Sequence, residues 1–252
     1  MYHIPVLLSE VLEIFSPHPN QNFIDCTVGG GGHSVEIAKR VLPHGKVLGI
    51  DADEDAIKAS GVKNQELGIR NIDLVQGNFR DVAVIAKENG MDKVDGVLFD
   101  LGVSSHQLES EKRGFGFEAD MLDMRMGGSG ETAANIINTW DKDDLISIFV
   151  KYGEEKLAKP IAEKIIEQRK IKRLEKPKDL VQLISSVYKK FFRKPSFKNP
   201  ATKVFQALRI CVNDELASLY PGFSGAVECL SFHGKIVVIS YHSLEDRIVK
   251  NF

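Results

Sequence analysis

The stretch Phe23–His33, Phe-Ile-Asp-Cys-Thr-Val-Gly-Gly-Gly-Gly-His, narrows the possible folds more than any other part of the chain. A short apolar run ends in four consecutive glycines, Gly29 to Gly32. A helical pattern then begins at once with His33, Ser34, Val35, Ile37 and Ala38. Glycine turns sharply at positive φ and leaves no Cβ between backbone and ligand. The helix that follows offers unpaired N–H groups and the positive end of its dipole to an anion. A second apolar run, Lys46–Ile50, ends in Asp51, where a carboxylate can accept hydrogen bonds from ribose hydroxyls. The glycines taken singly suit the plain packing of a helix on a strand equally well. The acid at the next strand end turns the pattern toward a nucleotide-type cofactor.

The rest of the first hundred residues repeats this alternation. His3–Phe15 is spaced for a helix and is broken by Ser16–Asn20. After the glycine turn a helix is expected to about Leu42, a strand over Val47–Ile50, a helix over Asp53–Ser60 and a strand over Ile72–Val75. A helix over Asp81–Asn89 follows, with Asp81 as its N-cap, and then a strand over Val94–Phe99 that ends in Asp100. Alternating strands and helices with short links make a parallel sheet covered on both faces. A ligand then binds beyond the carboxyl ends of the strands. Gly29–His33, Asp51, Asn78-Phe79 and Asp100 all fall at those ends.

Beyond Asp100 the pattern changes. Gly102–Gly130 is glycine-rich and polar without a clear period, and a loop of that length is usually functional or disordered. Helical patterns follow over Thr132–Asn138, Asp143–Tyr152, Glu154–Gln168, Pro177–Phe191 and Pro200–Leu219. In the last of these, Asn199-Pro200 reads as an N-cap and first helical position. Phe205, Leu208, Val212, Leu216 and Leu219 form one apolar stripe, with a polar stripe of Gln206, Arg209 and Asn213 beside it facing a cleft. A strand signal returns at Lys235–Ser240. The simplest division is an α/β core at 1–105 and 220–252, with a mainly helical insertion at 106–219.

Hydrophobic content of 43% with 27% charged residues is that of a soluble globular chain with enough apolar surface for a core. The start shows no secretory pattern and no apolar run is long enough to span a bilayer. Cys26, Cys211 and Cys229 show no Cys-x-x-Cys spacing, which suits reduced thiols in a cytoplasmic protein. No His/Cys/carboxylate cluster at metal-ligand spacing is visible, so no metal is expected. The formal net charge of −2 hides an asymmetry: Lys151–Ile210 carries seventeen Lys/Arg against six Asp/Glu. A basic segment on an acidic body suits a polyanionic partner, although solvated helix faces would produce the same count.

Two enzyme classes share strand, glycine turn, helix and strand-end acid: nicotinamide or flavin dehydrogenases, and methyltransferases that use S-adenosylmethionine. The dehydrogenase pattern Gly-x-Gly-x-x-Gly expects a glycine where this chain has Ser34, which disfavours a pyrophosphate ligand. Longer motifs then separate the classes. They are His-Ile-Pro-Val-Leu-Leu at 3–8, Gly-Gly-His-Ser at 31–34, Asp-Leu-Gly-Val-Ser-Ser at 100–105 and Arg-Gly-Phe at 113–115. Further on come Leu-Asp-Met-Arg-Met at 122–126, Tyr-Gly-Glu-Glu at 152–155, Phe-Gln-Ala-Leu-Arg-Ile at 205–210 and His-Ser-Leu-Glu-Asp-Arg at 242–247. Together they resemble the bacterial ribosomal RNA small-subunit methyltransferase H family, also called MraW, from His3 to the last residue.

The resemblance implies a Rossmann-like S-adenosylmethionine-dependent core with an inserted helical substrate domain. It also implies a cytoplasmic enzyme that methylates the N4 amine of a cytidine in the decoding centre of 16S rRNA. Carried over by motif, cofactor contacts fall on Gly31, Gly32, His33, Asp51, Phe79, Asp100 and Gln107. Asp100 is the expected key polar group of catalysis, with Ser104, Ser105 and His242 as further candidates; the plainer reading of His242 is a histidine satisfying backbone at a strand end. Arg113, Arg125 and Arg209 are candidate phosphate clamps. Lys189, Lys190, Arg193, Lys194 and Lys198, interleaved with Phe191, Phe192 and Phe197, suit an electrostatic and stacking footprint for RNA. The plainer reading is that these aromatics pack a helix end. Two departures are visible. Gly127-Gly128 stand where the family has an acid, and the family continues past the position of Phe252 with further strands and a basic tail. Without those strands a sheet edge would stand open to a second chain, as in a homodimer. A non-catalytic RNA-binding protein that keeps the cofactor fold, and a nicotinamide enzyme, stay open as alternatives at this point.

Overall fold

The computed structural model describes residues 5–104, 107–108, 110–192 and 199–252. Ser105, Arg193, Lys194, Phe197 and Lys198 lie outside the described residues, as does His3. The chain divides into two compact units, Met1–Gly102 with Leu216–Phe252, and Val103–Glu215.

The first unit is a five-stranded sheet of order β3-β2-β1-β4-β5. The strands are β1 (Phe23–Asp25), β2 (Val47–Asp51), β3 (Ile72–Gln76), β4 (Val94–Asp100) and β5 (Leu230–Ile239), and every pairing is parallel. Order therefore reverses at β1, which has β2 on one side and β4 on the other. Alternation along the strands sends Phe23, Val47 and Leu98 to one face, under α1 (Leu8–Phe15) and α2 (Gly32–Arg40). Ile24, Leu48, Val97 and Phe99 go to the other face, with side chains from α4 (Val82–Glu88), α10 (Glu215–Cys229) and α11 (Ser243–Asn251). Each full burial of such a side chain removes apolar surface worth about 1.5–3 kcal/mol.

Local chemistry sets the ends. α3 (Glu54–Glu66) starts at Asp53, whose carboxylate accepts from the Asp55 N–H at 3.0 Å. The expected cap at Asp81 makes no side-chain bond. Asn78 caps instead, accepting from the Arg80 N–H at 2.9 Å at a 3-10 turn over Phe79–Asp81. The returning strand is longer than its apolar signal. It begins at Leu230, and a bulge lets Ser231–Gly234 oppose Asp95 between the pairs Val94–Leu230 and Gly96–Lys235.

The second unit is helical: α5 (Ala133–Thr139), α6 (Lys142–Lys151), α7 (Ala158–Arg169), α8 (Pro177–Phe191) and α9 (Thr202–Asn213). Its core gathers Phe149, Ile161, Leu180, Ile184, Val204 and Leu208, all buried. The single helix expected over Pro200–Leu219 is two helices. Asp214 takes φ +51° and breaks the turn, so Phe205 and Leu208 enter this core while Leu219 enters that of the sheet unit. Asn199 does not cap α9 directly; it accepts from the Ala201 N–H at 2.9 Å, one residue before the helix begins.

Gly222 shows how tightly α10 sits on the site-bearing side of the sheet. A Cβ there would lie 2.8 Å from Phe79 Cδ2 and 3.2 Å from Phe79 O. Phe79 in turn meets Phe99 edge-on at 5.7 Å, and Phe99 meets Phe223 at 5.1 Å. Gly222→Ala should therefore destabilise the chain by about 1 kcal/mol net or more, because overpacking outweighs the roughly 1 kcal/mol gain in helix propensity. Thermal unfolding of the two proteins checks this; a raised midpoint would show that Phe79 gives way freely.

Candidate cofactor and acceptor site

β1 ends in Asp25 and the chain runs straight into the glycine turn. Gly29 and Gly31 take positive φ, +49° and +73°. Gly31 needs glycine twice over, since a Cβ would also lie 2.6 Å from Ser60 Oγ, and Gly30 has open space around it. No side chain caps the first turn of α2. Its leading N–H groups are thus available to an anion. The residues 5–6 lie against this turn: Pro5 packs on Gly32, and the Val6 carbonyl oxygen is 3.0 Å from His33 Nε2. A carbonyl only accepts, so Nε2 carries the proton of the neutral ring.

Asp51 closes the turn from the neighbouring strand. Its Oδ2 accepts from the Gly29 N–H and its Oδ1 from the Asp53 N–H, both at 2.9 Å. Burial outweighs these bonds and pushes the carboxyl up to about 6. Two acceptor positions on each oxygen leave lone pairs for further donors. Asp25, absent from the sequence expectations, is fully buried. It accepts from Ser34 Oγ–H at 2.6 Å and from the Thr27 N–H at 3.2 Å, and burial raises its pKa also. The signal for it was present in the strand-end position itself, one turn before the glycines.

Asp100 ends β4 next to β1, and its N–H donates to Thr27 Oγ1 at 2.7 Å. Its carboxylate accepts from the Tyr241 O–H at 2.7 Å and faces His33 Nδ1 at 3.8 Å. Burial raises its pKa, opposed by the Tyr241 bond and by His33. Phe79 is half-buried beyond β3. These residues sit at the carboxyl edge of one sheet, where an anion, a ribose and a flat base can be held together. The glycine cradle, the uncapped helix end and the spare lone pairs of Asp51 fit an adenosine-type cofactor with a carboxylate at its other end.

Other expected residues have structural partners. His242 is the N-cap of α11: Nδ1 accepts from the Glu245 N–H at 3.3 Å, and the Glu245 carboxylate reaches back to the His242 N–H at 3.3 Å. Ser104 and Gln107 belong to the helical unit and bond each other: the Ser104 N–H donates to Gln107 Oε1 at 3.0 Å, and the Gln107 N–H to Ser104 Oγ at 3.2 Å. The arginines expected on phosphate are bonded within the chain. Arg113 donates to the carbonyls of Arg125 and Met126, both at 3.0 Å. Arg125 forks onto Asp123 with two 2.8 Å bonds, and Arg209 onto Glu215 with two at 2.9 Å. The polar stripe beside Arg209 is likewise bonded within the chain: Gln206 donates to Tyr152 O and Asn213 to Met124 O. Phe191 and Phe192 are 58% and 52% exposed at the end of α8, beside Lys189 and Lys190. No helix among the described residues is long and apolar enough to cross a membrane.

A parallel sheet with this edge defines a Rossmann-like core built for a nucleotide-type cofactor. The family model described as the MraW methylase family matches residues 1–252, and the chain belongs to that family. It is 47% identical over 253 residues to a protein of Carboxydothermus hydrogenoformans, covering 99% of this chain and 79% of the relative. Identity is 44% with a protein of Heliobacterium modesticaldum (100% and 80%) and 43% with one of Symbiobacterium thermophilum (99% and 78%). Each of the three is named ribosomal RNA small subunit methyltransferase H. Of the two classes that the glycine turn left open, the chain falls in the methyltransferases, which use S-adenosylmethionine, and the nicotinamide reading is set aside.

The raised Asp51 carboxyl has a consequence for stability. Between the ordinary carboxylate range near 4 and about 6, the folded chain holds a proton that the unfolded chain has lost. Stability then falls as pH rises through that window. Asp51→Asn should remove a decline on the order of 1–3 kcal/mol between about pH 4 and 6. Denaturant unfolding of both proteins across that range checks it; parallel curves would refute the protonated carboxyl.

Proposed function

We propose that this chain methylates the exocyclic N4 of a cytidine in the decoding centre of 16S rRNA, acting on the small ribosomal subunit in the cytoplasm. The observation that carries the reading is the placement of Asp100 on the strand next to the glycine cradle, in a chain of the methylase family. The names of the relatives supply the class of RNA. The motifs from 3–8 to 242–247, taken together, supply the resemblance to an N4-specific enzyme.

In this reading Gly31, Gly32 and His33 present backbone N–H groups to the methionine carboxylate. Asp51 accepts from the ribose hydroxyls and Phe79 stacks on the adenine. The helical unit serves as the RNA-recognition domain. S-adenosylmethionine, when bound, would supply a methyl group made electrophilic by its sulfonium, its methyl–sulfur bond breaking as the N–C bond forms and its sulfur leaving as a neutral thioether. Cytosine N4 is a poor nucleophile because its lone pair is delocalised into the ring. The protein therefore works chiefly by alignment, which can contribute several kcal/mol. Asp100 accepts a hydrogen bond from the N4 amine, orients its lone pair and takes its proton as the new N–C bond forms. Burial, which raises the proton affinity of Asp100, suits that last step. Ser104 and His242, each bonded within its own turn, are the further candidates for contact with the acceptor. Lys189 and Lys190, with Phe191 and Phe192, offer charge and exposed rings to single-stranded RNA.

The first test is calorimetric titration with S-adenosylmethionine, followed by methylation of small-subunit RNA from cells that lack the enzyme. Asp51→Ala should weaken cofactor binding tenfold or more, a loss of about 1.4 kcal/mol. Asp100→Ala should lower turnover by roughly 10²–10⁴. Wild-type turnover with intact affinity in Asp100→Ala would end the assignment. For the RNA surface, Lys189→Gln with Lys190→Gln should reduce the slope of log affinity against log salt by about 1.4 for single-stranded contacts. An unchanged slope would remove these lysines from the interface.

A further inference from the structure

We infer that Tyr241 is a positioning residue that holds the Asp100 carboxylate ready for the transfer proposed above. The inference rests on Asp100 having the role given there. Asp100 pairs in register with Ile239 of β5, and Tyr241 follows two residues later, on the link to α11. The phenol O–H donates to Asp100 Oδ1 at 2.7 Å. Three further features hold the ring in that place. Gly102, at φ +95°, leaves room for it, since a Cβ there would lie 3.3 Å from Tyr241 Cδ2. The Tyr241 N–H donates to Glu245 Oε2 at 2.8 Å, tying the backbone to α11. The same carboxylate reaches the His242 N–H, so the two residues of the link share one anchor. Yet Tyr241 is 54% exposed, far more than a residue kept for core packing.

The other groups facing Asp100 make this donor count. His33 turns Nδ1 toward Asp100 Oδ2 at 3.8 Å, while its Nε2–H is directed at the Val6 carbonyl. At 3.8 Å Nδ1 lies beyond hydrogen-bond distance, so His33 acts on the carboxylate through charge alone. Glu245 on α11 is an acid whose charge works against ionisation of Asp100, and the charge of Asp100 in turn raises Asp25 at the end of β1. Tyr241 is the side-chain hydrogen-bond donor that the described residues supply to this carboxylate. Removing its hydroxyl should let Asp100 hold its proton to higher pH.

The test uses the full chain as wild type, Tyr241→Phe and Asp100→Asn. Carbon-13 NMR titration of the Asp100 carboxyl in the cofactor-free chain should show its midpoint raised by about one pH unit in Tyr241→Phe. The acidic limb of kcat/KM should move up with it, giving about a tenfold loss below the limb and less than about a threefold loss on the plateau. Phenylalanine keeps the ring, so thermal midpoints should agree. An Asp100 titration midpoint and acidic limb that superimpose on wild type would overturn the inference. Asp100→Asn separates the two readings. A limb abolished in Asp100→Asn but unmoved in Tyr241→Phe would reject Tyr241 and leave Asp100 in place. A wild-type rate and limb in Asp100→Asn would reject Asp100 itself, and Tyr241 with it.

Discussion

The candidate site hangs from the carboxyl end of β1. That strand is three residues long and fully buried, with β2 on one side and β4 on the other. Order in the sheet reverses there, and a parallel sheet opens a crevice where its order reverses. Three hydrogen bonds convert this topology into a site. Gly29 N–H on Asp51 ties the glycine turn to β2, Asp100 N–H on Thr27 Oγ1 ties it to β4, and Ser34 on Asp25 ties α2 back to β1. Moving any of the three would shift the cradle against the carboxylates on its two sides.

The same arrangement explains why three carboxylates at this edge resist ionisation. Asp25, Asp51 and Asp100 end successive neighbours in one sheet and are wholly or largely withdrawn from water. Desolvation leads the causes in each case, with hydrogen bonds only partly offsetting it. A site so built is less stable as a free protein at neutral pH than it would be with neutral side chains. It is correspondingly prepared to receive hydroxyl and amine donors or a cationic centre. Stability withheld at a functional edge is a common trade in enzymes.

The helical unit shows the opposite use of polar residues. Gly153 lets its segment approach the Lys203 carbonyl closely, and Lys203 donates to Glu154 O at 2.8 Å. Glu155 is buried and accepts from the Tyr188 O–H through both oxygens, at 2.8 and 2.7 Å. Arg113, Arg125 and Asn213 bind the irregular stretch around Met124 through main-chain carbonyls. Motifs that look like binding machinery as a string of letters are here the fastenings of a long loop, whose backbone groups must be satisfied without a helix or sheet.

Much of the sheet unit was legible in the linear chain, because apolar periodicity and glycine or acid punctuation are local. The strand, turn, helix and strand-end acid at Phe23–Asp51 define a cofactor-binding edge before any coordinate is known. The motifs spread from His3 to Arg247 identify the family. What local pattern does not carry is partnership across distance. Nothing near Arg209 in sequence says that it forks onto Glu215, or that the stripe from Phe205 to Leu219 is cut at Asp214 and shared between two cores. Nor does the letter Tyr at 241 reveal a phenol bonded to a carboxylate 141 residues earlier. Those outcomes depend on which backbone groups and charges are left to be paired once the strands have docked, a balance set by desolvation and geometry that only the assembled fold supplies.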